Sequence, residues 1–111
     1  MSDRNQAVFL QDILQAITKI ERYTNSLSYD EFCRNDMAVD AVIRNFEIIG
    51  EAATHVADEM KSRNAAIPWD KMKAMRNIMI HEYFGVDLET VWKTIKDALP
   101  ELKRDIGKLS L

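Results

Sequence analysis

Within eight residues the sequence brings together an arginine, a histidine and a tyrosine: Arg76, His81 and Tyr83, with Asn77 beside the arginine. A guanidinium offers a planar fork of donors to phosphate or carboxylate. An imidazole changes charge near neutral pH. All four lie in a stretch from Trp69 to Tyr83 with helical patterning. With Met72 at zero and about 100° per residue, Trp69, Met75, Met79 and Ile80 fall within about 80° of it and define a core-facing arc. Arg76 and Tyr83 fall inside that arc, near about +40° and +20°. An unpaired charge in an apolar stripe is costly, so Arg76 needs a carboxylate (Glu47 and Glu51 are candidates), a cleft, or a second subunit. Asn77 and His81 share the opposite side, with His81 roughly 140° from Arg76. One undistorted helix therefore does not aim both groups at a single phosphate. Either the helix frays before Gly85, or two copies of it meet. The second option also gives the arginine a destination, and it predicts a homodimer joined along the second and third long helices, with a composite site.

Plain structural roles compete with this chemistry. A lone arginine in a bundle is commonly an ion-pair partner, and a histidine in a last helical turn can simply favour the helix dipole. Tyr83 could be a core residue with its hydroxyl at the surface. The Met72, Met75, Met79 stripe reads as packing, and His55, the other histidine, as a surface residue.

The elements that must position these groups are helical. Val8, Leu10, Ile13, Leu14, Ile17 and Ile20 predict a helix from about Arg4 to Tyr23, with Asp3 as its cap. Ser28-Tyr29-Asp30-Glu31 has the form of a capping box for a short turn through Phe32. Asp36 is the expected cap of a second long helix, whose stripe runs Val39, Val42, Phe46, Ile49, Ala53, Val56, Met60 until Asn64 to Pro68 end it. Its polar side carries Arg44, Glu47 and Glu51. Pro68 suits the first turn of the third helix and Gly85 its stop. Asp87 is the expected cap of a fourth helix, Leu88 to Ala98; Pro100 either kinks it or starts a fifth through about Leu109. No strand alternation, repeat or low-complexity segment is present. The fold expected is all-α: a four- to five-helix antiparallel bundle.

Composition bounds the rest. The 111 residues suit a single domain spanning 1–111, and 47% apolar content suffices for one core. No apolar run approaches the ~20 residues that cross a bilayer, and the N-terminus does not resemble a signal peptide. One cysteine, Cys33, excludes an intrachain disulfide and suits a reducing cytoplasm. Two histidines and no tight carboxylate–histidine cluster give poor support to a metal site. The net charge of −3 argues against a general nucleic-acid binder or a DNA-binding regulator. It divides into −4 over residues 1–68 and +1 over 69–111, so any RNA should meet a local patch in the C-terminal half.

The run Arg76-Asn77-Ile78-Met79-Ile80-His81-Glu82-Tyr83 matches the Arg-x4-His-x-Tyr motif of HEPN-domain toxins of the HepT type. Ile67-Pro68-Trp69, Tyr83-Phe84-Gly85-Val86-Asp87, Val91-Trp92 and Leu99-Pro100-Glu101-Leu102 resemble that family too. So does the upstream stretch Arg44-Asn45-Phe46-Glu47-Ile48-Ile49-Gly50-Glu51-Ala52. The resemblance covers nearly the whole chain, in order. It implies a HEPN-type bundle acting as a homodimeric, metal-independent endoribonuclease, the toxin of a type VII toxin–antitoxin pair. His81 would be the general acid/base, Arg76 would hold the scissile phosphate, and Asn77 would orient either group. It further implies a partner antitoxin, an MntA-like minimal nucleotidyltransferase that moves AMP from ATP to Tyr83; the chain itself would need no cofactor. The alternative within the family is a non-catalytic, nucleotide-binding or scaffold subunit in stable complex with a nucleotidyltransferase.

Overall fold

Apolar residues recurring every three or four positions drive the chain into helices whose buried faces meet in one core. The computed structural model describes residues 3–81 and 87–109, with side chains over 6–76 and 87–109. The helices are α1 (Asp3–Thr24), α2 (Tyr29–Cys33), α3 (Asp36–His55), α4 (Asp58–Arg63), α5 (Trp69–His81), α6 (Leu88–Lys93) and α7 (Leu99–Gly107), the last two joined through a π-helical turn (Thr94–Ala98). Among the described residues there is no strand, and no helix is long and apolar enough to cross a membrane. The fold is an all-α bundle of four principal rods, with α2 and α4 as short helices between them.

Leu10, Ile13, Ile17 and Ile20 of α1 pack on Val42, Phe46, Ile49 and Ala53 of α3, all buried. Each large side chain so buried contributes about 1.5–3 kcal/mol of hydrophobic driving force. Trp69 and Met72 of α5 close the core from one side and Val91, Ile95, Leu99, Leu102 and Ile106 from the other. The start of α1 meets the end of α3, where Gln6 Oε1 accepts the Ala57 N–H at 2.8 Å, so these two rods run antiparallel. At the other end of α1, Glu21 receives Lys103 of α7 at 2.8 Å.

The local signals divide. The capping box forms as expected: Ser28 Oγ accepts from Glu31 N–H at 3.1 Å, and Glu31 Oε1 accepts from Ser28 N–H at 2.9 Å. Hydrogen bonding from Ser28 to the carboxylate, its backbone N–H first and its hydroxyl second, holds the Glu31 carboxyl below the usual range. Asp87 caps α6, accepting from the Glu89 and Thr90 N–H groups and the Thr90 hydroxyl, which lowers its pKa as well. The cap of α3 is Asn35 rather than Asp36: its Oδ1 accepts the Ala38 N–H at 3.0 Å, while Asp36 adds negative charge to the first turn.

The second long helix is also shorter than its periodicity implied. It stops at Val56, whose ψ of 133° is extended, and α4 is a separate helix. Val56 and Met60 stay buried across the break, so the apolar pattern continues where the hydrogen bonding does not. Of the two roles left open for Pro100, the structure shows the start of a fifth helix: it stands in the first turn of α7, which follows the π-helical turn directly. A proline ring crowds the carbonyl four residues back, here that of Lys96. The wider turn just before it, in which the Leu99 N–H reaches the Thr94 carbonyl, accommodates the ring and keeps the rod continuous.

One contact sets how closely α5 approaches α3. A Cβ built on Gly50 would overlap the Arg76 Cβ and lie 2.9 Å from the Arg76 backbone nitrogen. Alanine in place of a mid-helix glycine gains about 1 kcal/mol in propensity, whereas forcing packed backbones apart costs about 1–3 kcal/mol. Gly50→Ala is therefore expected to lower the melting temperature and the urea midpoint. Gly107→Ala, with nothing within 4 Å of its Cβ, should leave both unchanged or raise them slightly. An equally harmless Gly50→Ala would refute the close approach.

Candidate functional site

The Gly50 contact seats Arg76 where its side chain can return over α3. Arg76 Nη1 lies 3.1 Å from Glu51 Oε2, the residue next to the glycine. The other oxygen, Glu51 Oε1, lies 3.2 Å from His55 Nε2, one helical turn along. A carboxylate only accepts, so in this hydrogen bond His55 Nε2 is the donor. The His55 ring in turn stacks on Phe9 of α1, centroids 5.2 Å apart and planes at 22°. A chain of contacts thus runs Phe9–His55–Glu51–Arg76 across three helices.

These four residues line one groove with Asp12, Arg44, Glu47, Ile48 and Ala52. Phe9, Ile48 and Ala52 are its apolar members. Arg44 is held at 3.5 Å by Glu47 on its own helix. The groove therefore sets three carboxylates against two guanidiniums and one imidazole. That balance makes it a poor trough for a polyanion, and it isolates Arg76 as the cation at the groove that α5 contributes.

Of the three destinations the sequence left open for Arg76, the structure shows two: it has a carboxylate, and it faces a cleft. The Arg76 and Glu51 side chains are 39% and 54% exposed. An ion pair this open to solvent contributes only ~0.2–1 kcal/mol to stability. Stability alone is a weak reason to place an arginine there. Asn77 and His81 follow on α5, beyond the described side chains, and Tyr83 lies outside the described residues. His55 is indeed at the surface, its side chain 52% exposed, but it is a member of the groove, which its sequence position did not reveal. The available signal was its i, i+4 spacing from Glu51; the stacking on Phe9, forty-six positions earlier, left no local trace. Among the described residues no three His, Cys, Asp or Glu side chains are grouped to hold a metal ion.

The model of a protein family described as Ribonuclease HepT-like matches residues 13–109. The chain belongs to the HepT-like ribonuclease family. As a HepT-like protein of the HEPN class it has relatives in Methanocaldococcus jannaschii and Caldanaerobacter subterraneus, among others. It is 41% identical over 106 residues to the Probable ribonuclease HepT of Thermococcus cleftensis, covering 96% of each chain. It is 39% identical over 106 residues to a Methanocaldococcus jannaschii protein with a provisional RNase name, MJ1380, covering 96% of this chain and 97% of that one. A further M. jannaschii relative, MJ0434, joins a gamma-glutamylcyclotransferase to a provisional RNase. It is 41% identical over 102 residues, which is 92% of this chain but 46% of that longer protein. No solved structure matches the chain significantly. The HepT-like match includes Gly50, Glu51, His55, Arg76, His81 and Tyr83, while Phe9 and Asp12 precede it.

Proposed function

We propose that this HepT-like protein is the endoribonuclease toxin of a type VII toxin–antitoxin pair, cutting RNA without a metal ion at a composite site formed by two copies of α5. The observation that carries this reading is the seating of Arg76. Its guanidinium gives one nitrogen to Glu51 and is part-exposed on the helix whose backbone continues to His81. The other donors of its fork suit the non-bridging oxygens of a phosphate.

The chemistry requires little else. The 2′-oxygen of one ribose attacks the adjacent phosphorus while His81 takes the 2′-OH proton. The bond from phosphorus to the 5′-oxygen of the next nucleotide breaks, and an imidazolium returns a proton to that leaving oxygen. The products are a 2′,3′-cyclic phosphate and a free 5′-OH. Arg76 stabilises the charge that gathers on the phosphoryl oxygens, and the neutral-range pKa of histidine suits both proton transfers. On the ideal wheel His81 points about 140° away from Arg76, so the two groups converge best when one comes from each protomer, with Asn77 orienting either of them.

The scaffold alternative draws on the same pair: Arg76 is already engaged by Glu51. The weak stabilisation available from so exposed a pair argues against a purely structural assignment. Purified protein incubated with RNA in EDTA separates the two. The RNase reading expects cleavage that Arg76→Ala and His81→Ala each lower by about a hundredfold or more. Intact RNA beside a well-folded dimer supports the scaffold.

Control of the toxin belongs to Tyr83. Its hydroxyl oxygen attacks the α-phosphorus of ATP on the nucleotidyltransferase antitoxin, pyrophosphate leaves, and an adenylyl group remains on the ring. Each group adds bulk and negative charge close in sequence to Arg76 and His81, repelling RNA phosphates. Co-expression with the nucleotidyltransferase should raise the mass by whole AMP units and abolish cleavage. Tyr83→Phe should stay at its unmodified mass; modification persisting in that variant would remove Tyr83 from the account.

A further inference from the structure

We infer that Glu51 and His55 form a positioning pair that sets the orientation of the Arg76 guanidinium for its phosphate. The inference rests on the RNase reading and assigns work to two residues that the Arg-x4-His-x-Tyr motif does not contain. Both carboxylate oxygens of Glu51 are engaged, Oε2 by Arg76 Nη1 at 3.1 Å and Oε1 by His55 Nε2 at 3.2 Å. A glutamate tied at one oxygen could still swing about its side-chain torsions. One tied at both, from two different helices, is held. His55 is itself restrained by its stacking on Phe9, so the restraint passes from α1 through α3 to α5.

The stoichiometry of donors supports positioning over blockade. A guanidinium has five N–H donors, and Glu51 reaches a single nitrogen, Nη1. The remaining donors can meet a phosphate without displacing the carboxylate. Blockade would call for a two-pronged grip, which Glu51 does not have because its second oxygen serves His55. The charge of the groove points the same way. With three carboxylates set against two guanidiniums and an imidazole in its lining, it offers an RNA strand no net positive charge, so its contribution is to orient the arginine rather than to bind the polyanion.

Energetics set the size of the effect. The pair is too exposed to matter much to folding, whereas misplacing a transition-state contact by about 1 Å can cost on the order of a hundredfold in rate. Glu51→Gln keeps the shape and removes the charge. It should lower kcat by about tenfold or more while KM stays within about twofold and the melting temperature is unchanged. His55→Gln, whose amide N–H can replace Nε2–H as the donor, should retain most of the activity that His55→Leu loses. An unchanged kcat in Glu51→Gln, or loss only in step with a lowered melting temperature, would overturn the assignment.

A second readout does not depend on cleavage. In 15N NMR spectra of the full chain, rotation of the Arg76 guanidinium about its Nε–Cζ bond should be slow in the wild type and fast in Glu51→Gln. Equal rotation in the two proteins would refute the positioning role. Slow rotation in a wild type that leaves RNA intact would instead refute the RNase reading and leave the Glu51–Arg76 restraint standing.

Discussion

At position 50 the backbones of α3 and α5 touch because no side chain separates them, and the arrangement of the site follows from that contact. With Gly50 beneath it, the Arg76 backbone sits directly on α3. From there the guanidinium reaches the carboxylate of the next residue, Glu51. A larger residue at 50 would move the arginine outward and change the geometry of every group tied to it. The glycine, unfavourable for helix propensity by about 1 kcal/mol, is best understood as a requirement of close packing.

The groove also separates what holds the protein together from what the site does. Stability comes from the aliphatic and aromatic seams around Phe46, Ile49 and Met72, all fully buried. The polar chain Phe9–His55–Glu51–Arg76 lies largely at the surface, where ion pairs contribute little. Such a chain can be tuned for geometry and charge with small effect on folding. With no net positive charge in its lining, the groove would not draw an RNA strand along its length, and the proposed function asks a protein of net charge −3 to act on a polyanion through a few well-placed cations.

Much of the fold was legible because its signals are local. The apolar spacing of α1 and α3, the Ser28–Glu31 box and the Asp87 cap each depend on residues within a few positions of one another. The break at Val56 was hidden because it is fastened from outside, by Gln6 at the start of α1, while the apolar period runs on unbroken. The choice of Asn35 over Asp36 as cap turned on a shift of one residue between two competent side chains. In the site, the arginine's need for a carboxylate could be read from its place in an apolar arc, with Glu51 one of two candidates. That His55 would share Glu51, and that Phe9 would hold His55, depended on how α1 lies along α3, which periodicity leaves open.

The claim on which the functional account turns is that Arg76 of one protomer and His81 of another act on the same phosphate. Mixing separately purified Arg76→Ala and His81→Ala proteins, with exchange of subunits, tests this most directly. Heterodimers would contain one site with an intact arginine and an intact histidine. The account expects metal-free RNA cleavage to reappear in the mixture, up to a sizeable fraction of the wild-type rate. A mixture as inactive as its two components, although heterodimers are demonstrably present, would contradict it.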